Sequence, residues 1–592
     1  MNKLFSKLNA ILSPLVIVAI LAGSIVLPSQ AVFAKDSPGN SHESSWTFGL
    51  ISDTQWTVPD DGLNPNTTAA NIIKQVDKQF ITAGVDLVVA VGDTVDVGSA
   101  TNIGTRALYA QDLYNAGIAF YPLRGNHEAA ETPPDLTSGA ELLHAFPQIG
   151  TGVNNNTPAD ITTALIPQPD LTNNPPAPKK GKPFKTGSDF SAPTSVNQAN
   201  NSVSYSFRYR NATFMLLDMF NVNGDYLNST IPQQQPWIDQ TLSKRPDNTH
   251  AFVFTHKNIL GGNHKDNLFG GPVVSSDPGD GNGVNLATLT PAQIAALNAK
   301  TDAENKFVAS MQANKVDFFI SGHDHHHYYS YVTSPDGKSH VRQLIAQSDS
   351  SKFYVPKAPV SALDAPIQQD LGRVGYYIFT IDGPIVTVDY YGDATGGNNY
   401  QGPFNFVKMD SFSYSLNGVT KLVAENGSYA MSDNTKTAAK MERDSKGTSM
   451  SILSGVNSSA TMTNYGKPLS AYVTTGWEQA DGFLSSDILS LAGMSKISGE
   501  HTDSFALSMS FKDDSVSRGL LRMGRFGLLA KDANGKWVNA VKLNSPAAEK
   551  FVLGPWKASY GLGTYGVDLA HNTAWAVLNY NGQFAIGKVT KQ

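Results

Sequence analysis

Aspartate, asparagine and histidine recur in five short blocks within the first 325 residues: Ser52-Asp53-Thr54-Gln55, Gly92-Asp93-Thr94-Val95-Asp96, Gly125-Asn126-His127-Glu128, Thr255-His256 and Gly322-His323-Asp324-His325. Carboxylate, amide oxygen and imidazole are donors for divalent cations, and the chain has no cysteine, so thiolates and disulfides contribute nothing. Two such cations about 3.5–4 Å apart need one carboxylate that bridges them. Asp93 is the natural bridge. A metal pair lowers the pKa of a coordinated water from about 15.7 towards 7 and polarises the oxygens around phosphorus. The expected chemistry is therefore hydrolysis of a phosphate ester by that water, with no covalent enzyme intermediate.

Each block follows an apolar run that reads as a buried strand: Trp46 to Ile51, Val85 to Val91, Ile118 to Leu123, Ala251 to Phe254 and Val316 to Ile320. In an open α/β sheet the carboxyl ends of the strands line one edge, so residues distant in sequence converge in one crevice. Helical patterns alternate with these runs. Thr67 to Ala83 carries Ile72, Ile73, Val76 and Phe80 at helical spacing, and Thr290, Pro291 and Gln293 supply an N-cap, a first-turn proline and a capping-box partner for a helix running towards Met311. A strand-rich part from Tyr328 to Tyr391 completes this first region.

The five blocks in this order resemble the calcineurin-like metallophosphoesterase superfamily, over roughly residues 46 to 390. The resemblance implies an α/β fold of four layers, α/β/β/α, around a dinuclear centre. It implies that Asp53, Gln55, Asp93 and His325 hold one metal, and Asp93, Asn126, His256 and His323 the other. By the same resemblance His127 is the catalytic histidine near the leaving group, oriented by an acid such as Glu128 or a neighbouring aspartate. Gln55 departs from the usual histidine. Its carbonyl is a weaker and harder donor than imidazole, which leaves the first metal open among Mn, Fe, Zn and Ca. Asp96 stands where purple acid phosphatases carry a tyrosine ligand, so a purple ferric centre is not expected. Arg124 precedes the third block as in protein Ser/Thr phosphatases, where the matching arginine contacts phosphate; a structural ion pair is the other reading.

Other polar groups have plainer readings. In the run His323 to His327, Gly322 and the strand before it favour a turn that delivers His323 and His325, with His326 and His327 behind them or at the surface. Lys179, Lys180, Lys182 and Lys185 read as a solvated loop, and Asp277, Asp280 and Asn282 as a flexible polar loop without the spacing of a calcium-binding hand. His264 reads as an exposed histidine, although its loop could bring it to the crevice.

With 592 residues the chain exceeds what one hydrophobic core usually serves. Residues 1–34 have a basic start at Lys3 and Lys7, an apolar stretch from Ile11 to Leu27 and small residues at Val32 and Ala34 that suit cleavage after Ala34, with Ala31 as the other point, which reads as a secretory signal; a retained anchor is the alternative. A catalytic domain is expected over 35–395 and a β-rich, sandwich-like domain over 404–592. The linker between them is read at Gly392 to Pro403, and hairpin signals at Asn417-Gly418, Asn426-Gly427 and Asn581-Gly582. Only His501 and His571 of the 13 histidines fall in the second part, so the metal chemistry belongs to the first.

Two long segments, Ala129 to Asn200 and Asn258 to Leu289, start directly after ligand blocks and read as loops bordering the crevice or as plain surface excursions. A net charge of -6 supplies no basic excess for DNA binding. An exported protein without cysteine is compatible with a bacterium and with contact with the medium or the cell wall. The substrate is expected to be a small-molecule or polymeric phosphoester. The rival reading is a non-catalytic surface or cell-wall binding protein that keeps the same fold.

Overall fold

The computed structural model describes residues 45–55, 66–129, 138–146, 149, 187–194, 203–220, 229–261, 263–264, 267–269, 289–354, 361–396, 402–416, 419–424, 428–430, 448–454, 470–478, 484–492, 504–511, 518–532 and 534–589. The signal segment, the four lysines between 179 and 185, the polar stretch with Asp277, Asp280 and Asn282, and His501 lie outside the described residues.

Up to Ser415 the order is β1 (Trp46–Ile51), α1 (Asn66–Ala83), β2 (Leu87–Ala90), α2 (Ala100–Tyr109), α3 (Gln111–Asn115), β3 (Ala119–Pro122), α4 (Asn126–Ala129), α5 (Ser138–Ala145), β4 (Ser188–Ser191), β5 (Tyr205–Tyr209), β6 (Ala212–Leu216), α6 (Ile231–Ser243), β7 (His250–Phe254), α7 (Pro291–Ala313), β8 (Phe318–Ser321), β9 (His327–Thr333), β10 (His340–Ile345), β11 (Asp364–Asp370), β12 (Gly375–Asp382), β13 (Ile385–Asp393) and β14 (Phe406–Ser415). The five strands expected before the ligand blocks all form. The capping box that opens α7 is present, with the Thr290 hydroxyl accepting from Gln293 N and the Gln293 side chain accepting from Thr290 N.

These strands make two sheets, β14-β13-β12-β1-β2-β3 and β11-β9-β10-β8-β7-β6-β5-β4. Within the first, β1, β2 and β3 are parallel; within the second, β6, β7, β8 and β10 are. The period-two rule explains how they stack. Phe214, Leu216, Phe252, Phe254, Phe318 and Ile320 face the first sheet and share its core. Their neighbours Met215, Ala251, Val253 and Phe319 face the other way, onto Ile238 and Leu242 of α6 and Phe307, Val308 and Met311 of α7.

Phe48 joins the two sheets, its ring centroid 5.1 Å from those of both Phe214 and Phe252. Full burial of such a side chain contributes about 1.5–3 kcal/mol. On the outer face of the first sheet, Gly49 lets α1 approach: a Cβ there would sit 2.5 Å from the Phe80 ring. The layers are thus helix, sheet, sheet, helix.

β14 departs from expectation. It lies beyond the linker read at Gly392 to Pro403, yet it pairs antiparallel with β13 from Ile385↔Ser415 to Asp393↔Phe406 and is the edge strand of the first sheet. Its Phe412 stacks on Tyr329 at 4.2 Å, and Arg342 lies over the Tyr414 ring at 4.2 Å. The gap between β13 and β14 is a connection within one sheet, closed by Asn405 N donating to Asp393 Oδ1 at 2.8 Å.

Beyond it come β15 (Val419–Ala424), β16 (Ser428–Ala430), β17 (Ser449–Ser454), β18 (Ser470–Glu478), β19 (Ile488–Ala492), β20 (Ser504–Ser510), α8 (Arg518–Arg522), β21 (Phe526–Lys531), β22 (Trp537–Asn539), β23 (Lys550–Leu553), β24 (Thr564–Asp568), β25 (Thr573–Leu578) and β26 (Gly582–Lys588). They form two further sheets, β15-β18-β19-β26-β21-β22 and β16-β17-β20-β25-β24-β23. Leu489, Leu528 and Ile586 of one share a core with Leu507, Val567 and Ala576 of the other. Asn417-Gly418 and Asn426-Gly427 lie outside the described residues; at Asn581-Gly582 the hairpin reading fails, because β25 and β26 on either side of it belong to different sheets and do not pair. Their apolar faces are buried against each other across the core, so the turn passes the chain between layers.

Candidate metal centre

The carboxyl ends of β1, β2, β3, β7 and β8 meet at one edge, where the five blocks converge. Close approach there explains the glycines. A Cβ on Gly125 would lie 2.1 Å from Asp93 Oδ1, and one on Gly322 2.0 Å from Ser52 Oγ and 2.5 Å from Asp53 Oδ2.

Two trios of donor atoms lie within 4.8 Å of one another, Asp93 with His256 and His323, and Asp53 with Asp93 and His325. All five residues are buried and Asp93 is common to both trios. The backbone is strained at the same places. Among the described residues, ten non-glycine residues have positive φ, and five of them are Asp53 (51°), Gln55 (44°), Asp93 (46°), His323 (70°) and His325 (55°). Each such residue costs on the order of 1–3 kcal/mol unless its side chain compensates, and clusters of them mark functional sites.

Main-chain carbonyls fix the imidazole tautomers. His256 Nδ1 donates to Val91 O at 2.9 Å, and His325 Nδ1 to Lys352 O at 2.7 Å. Nε2 is thereby left as the lone-pair donor of each ring. His256 Nε2 is 2.9 Å from Asn126 Oδ1, 3.2 Å from Asp93 Oδ2 and 4.0 Å from Asp53 Oδ1; His325 Nε2 is 3.2 Å from Asp53 Oδ1. Lone pairs face lone pairs, which is stable only with a cation among them. Burial opposes charge on the His256 ring, but Asp93 and Asp53 outweigh it and raise its pKa to about 9, so even a proton is drawn to this spot. Burial likewise works against the charged forms of Asp53 and Asp93, yet the neighbouring imidazoles prevail and hold both carboxyls below the ordinary carboxylate range. The donor set fits a pair of divalent cations held by hard oxygens and imidazole.

Gln55 is fully buried beside this group, with its backbone N donating to Asp93 O at 2.9 Å and its Oε1 accepting from Ser350 Oγ at 3.3 Å.

His127 stands at the open side, with its side chain one-third exposed. Its backbone N donates to Asp93 Oδ1 at 2.8 Å, its Nδ1 donates to Asp96 O at 2.8 Å, and its Nε2 is 3.8 Å from Asp93 Oδ2. Burial disfavours the protonated ring, but Asp93 and the Asp96 carbonyl overcome it and the pKa is raised.

Three expectations need correction. Glu128 does not orient His127. Its carboxyl is fully buried and accepts from Thr94 Oγ1 (2.9 Å), Val95 N (3.0 Å) and Gly125 N (2.6 Å), tying the second block to the third; Asp96 orients the ring. Arg124 does not face a phosphate. It is 3% exposed, ion-paired to Asp218 at 2.8 Å, and donates to Ser138 Oγ and Phe220 O. Asp218, two residues beyond β6, supplies the buried carboxylate that pairs with it. His264 is not an isolated surface residue: its ring stacks on His323 at 4.0 Å, and its Nδ1 is held by Asp324 Oδ1 at 2.8 Å.

His326 and His327 are fully buried behind the site, His326 Nδ1 donating to Asp324 O and His327 Nδ1 bonded to Tyr377 OH at 3.0 Å. The segment after β10 also reaches the crevice, bringing Ser350, Lys352 and Tyr354. The Tyr354 ring lies 4.5 Å from that of His325. Sequence reasoning passed over this segment, although β10 is parallel to β8 and the carboxyl-end rule applies to it equally.

No curated protein matches the chain. Among solved structures, GAP50, the anchor in the inner membrane complex of Plasmodium, is 12% identical with a TM-score of 0.33 over 62% of this chain and 90% of that one. A dimetal phosphatase from Danio rerio is 13% identical, TM-score 0.30, over 59% of this chain and 96% of its own. A purple acid phosphatase from yellow lupin (Lupinus luteus) seeds is 14% identical, TM-score 0.31, over 64% and 55%. The assignment rests instead on the family model for calcineurin-like phosphoesterases, which matches residues 47–327. That span begins in β1 and ends at the last histidine of the run after β8, and it includes every residue of the two donor trios. This part of the chain belongs to the calcineurin-like phosphoesterase family, and the protein is a metal-dependent hydrolase of phosphoric esters.

Proposed function

We propose that the protein is a secreted, dinuclear phosphoesterase that hydrolyses phosphate monoesters or diesters. The observation that carries this reading is the sharing of Asp93 between two buried donor trios, in which His256 and His325 keep their protons on Nδ1. Asp53, Gln55, Asp93 and His325 would hold one cation, and Asp93, Asn126, His256 and His323 the other. When bound, the pair supplies a water of lowered pKa and polarises the phosphoryl oxygens. Mn, Fe, Zn and Ca all suit a donor set of oxygens and imidazoles without sulfur.

The chain's own residues do the rest. Glu128, by gripping Val95 N and Gly125 N, keeps the second and third blocks at a fixed distance. His127, with Nδ1 committed to the Asp96 carbonyl, turns Nε2 inward and keeps a proton there to give to the departing oxygen. The segments that follow Ala129 and Asn258 would decide how large a leaving group the crevice admits, for a small molecule or a polymer such as one in the cell wall.

Secretion is supported by the basic start, the apolar stretch and the small residues before the cleavage point after Ala34. Among the described residues no helix is long and apolar enough to cross a membrane.

The test is hydrolysis of matched aryl monoester and diester substrates by protein stripped of metal and reconstituted with each of the four cations. Turnover that returns with at least one cation supports the reading. Metal-loaded protein that binds these esters without cleaving them would favour the binding-protein alternative.

A further inference from the structure

Lys352 lies on the segment that leaves β10 and touches both walls of the crevice. Its carbonyl accepts the Nδ1 proton of His325 at 2.7 Å. Its ammonium pairs with Asp96 Oδ1, with side chains only 15% and 12% exposed. That same carboxylate oxygen lies 3.3 Å from His127 Nδ1, while the Asp96 carbonyl accepts from the ring at 2.8 Å. The segment is itself anchored beside Gln55: Lys352 N donates to Ser350 Oγ at 3.2 Å, and that hydroxyl donates to Gln55 Oε1 at 3.3 Å.

We propose that Lys352 is a positioning residue of the hydrolytic site, its ammonium fixing the Asp96 carboxylate and through it the His127 ring. The proposal rests on the hydrolytic reading given above. A carboxylate beside an imidazole can capture the ring proton directly and swing the ring away from the main-chain carbonyl that holds it. An ammonium on the same oxygen removes that pull, so the carbonyl bond sets the ring's direction and Nε2 stays turned towards Asp93. The two functions of Lys352 are also separable. The carbonyl that orients His325 survives any side-chain substitution, so metal binding should persist when the ammonium is removed.

The experiment uses full-length holoenzyme and compares an alkyl phosphate ester with p-nitrophenyl phosphate, whose leaving group departs readily without a proton. Lys352→Met should retain the wild-type metal content. It should lose on the order of 10- to 100-fold in kcat on the alkyl ester, no more than the lower bound of what general acid catalysis supplies, and change little on the aryl ester. Lys352→Arg should recover most of the loss. In combination with His127→Ala it should add nothing, because the two residues act as one unit. Equal losses on both esters, a loss confined to KM, or full additivity with His127→Ala would overturn the proposal and assign Lys352 to direct phosphate contact or to plain structure. If Lys352→Met does not fold, Lys352→Gln, which keeps a polar head beside Asp96 but removes the charge that offsets its pull, must show the same selective loss or the proposal fails. Wild-type holoenzyme that cleaves neither ester with any of the four cations would instead sink the hydrolytic reading, and this proposal with it.

Discussion

Arg124 and Asp218 form an ion pair of 2.8 Å with side-chain exposures of 3% and 1%, at the ends of β3 and β6 in different sheets. The pair clamps the two sheets together just below the metal-facing blocks, and Arg124 also holds Ser138 and the Phe220 carbonyl. Burial pushes the Asp218 carboxyl up, and the guanidinium only partly offsets it. Removing one partner leaves an uncompensated buried charge, which costs about 3–5 kcal/mol. Arg124→Ala should therefore lower stability by that amount in chemical unfolding. In the protein that remains folded, KM for a phosphoester should be unchanged. A raised KM at unchanged stability would restore Arg124 to the phosphate.

Gln55 is the proposed donor whose type departs from the family pattern. With its backbone N bonded to Asp93 O and its side-chain carbonyl beside Ser350, Gln55→His should shift metal preference towards Zn or Fe, and Gln55→Ala should lower occupancy of one of the two cations. Metal analysis of the purified variants after equilibration with mixed cations reads this directly. Identical metal content in both variants would put Gln55 outside the coordination shell.

The edge strand β14 carries a prediction about the extent of the first sheet. Phe412 is 2% exposed and stacked on Tyr329, so Phe412→Ala should cost about 3–5 kcal/mol. A chain ended at residue 395 loses the whole strand and should be far less soluble and less stable than one ended at 416. Equal stability of the two truncations would show that β14 serves only the second part of the chain.

His127 should act on the leaving group. His127→Ala is expected to lose about 10²–10⁴ in turnover of alkyl esters, with a much smaller loss on activated aryl esters and both cations retained. Rate measurements on a leaving-group series decide it. A uniform loss across the series would assign the ring to holding the phosphate.

The metal-facing residues were legible because they sit directly after strands whose apolar runs are unambiguous, so the rule that sites form at carboxyl ends of parallel strands located them together. Asp96, Lys352 and Ser350 obey the same rule but carry no spacing that marks them, and only the fold shows that the Lys352 ammonium and the His127 ring share one carboxylate oxygen. Glu128 and Arg124 were misread for a common reason. A charged side chain next to a ligand block looks functional in sequence, whereas burial without solvent forces it to pair with backbone donors or a distant carboxylate. The Asn581-Gly582 turn was misread because a turn signal fixes the local bend and not the sheet to which the next strand is added. β25 and β26 chose different sheets because their apolar faces are buried against each other.

Asp93 is the residue on which the whole account depends, since it alone belongs to both donor trios. The most direct measurement is metal stoichiometry together with phosphoester turnover for wild type and Asp93→Ala. The wild type should bind two divalent cations per chain, and the variant should hold at most one and turn over no phosphoester. An Asp93→Ala protein that keeps both cations and full turnover would contradict the account.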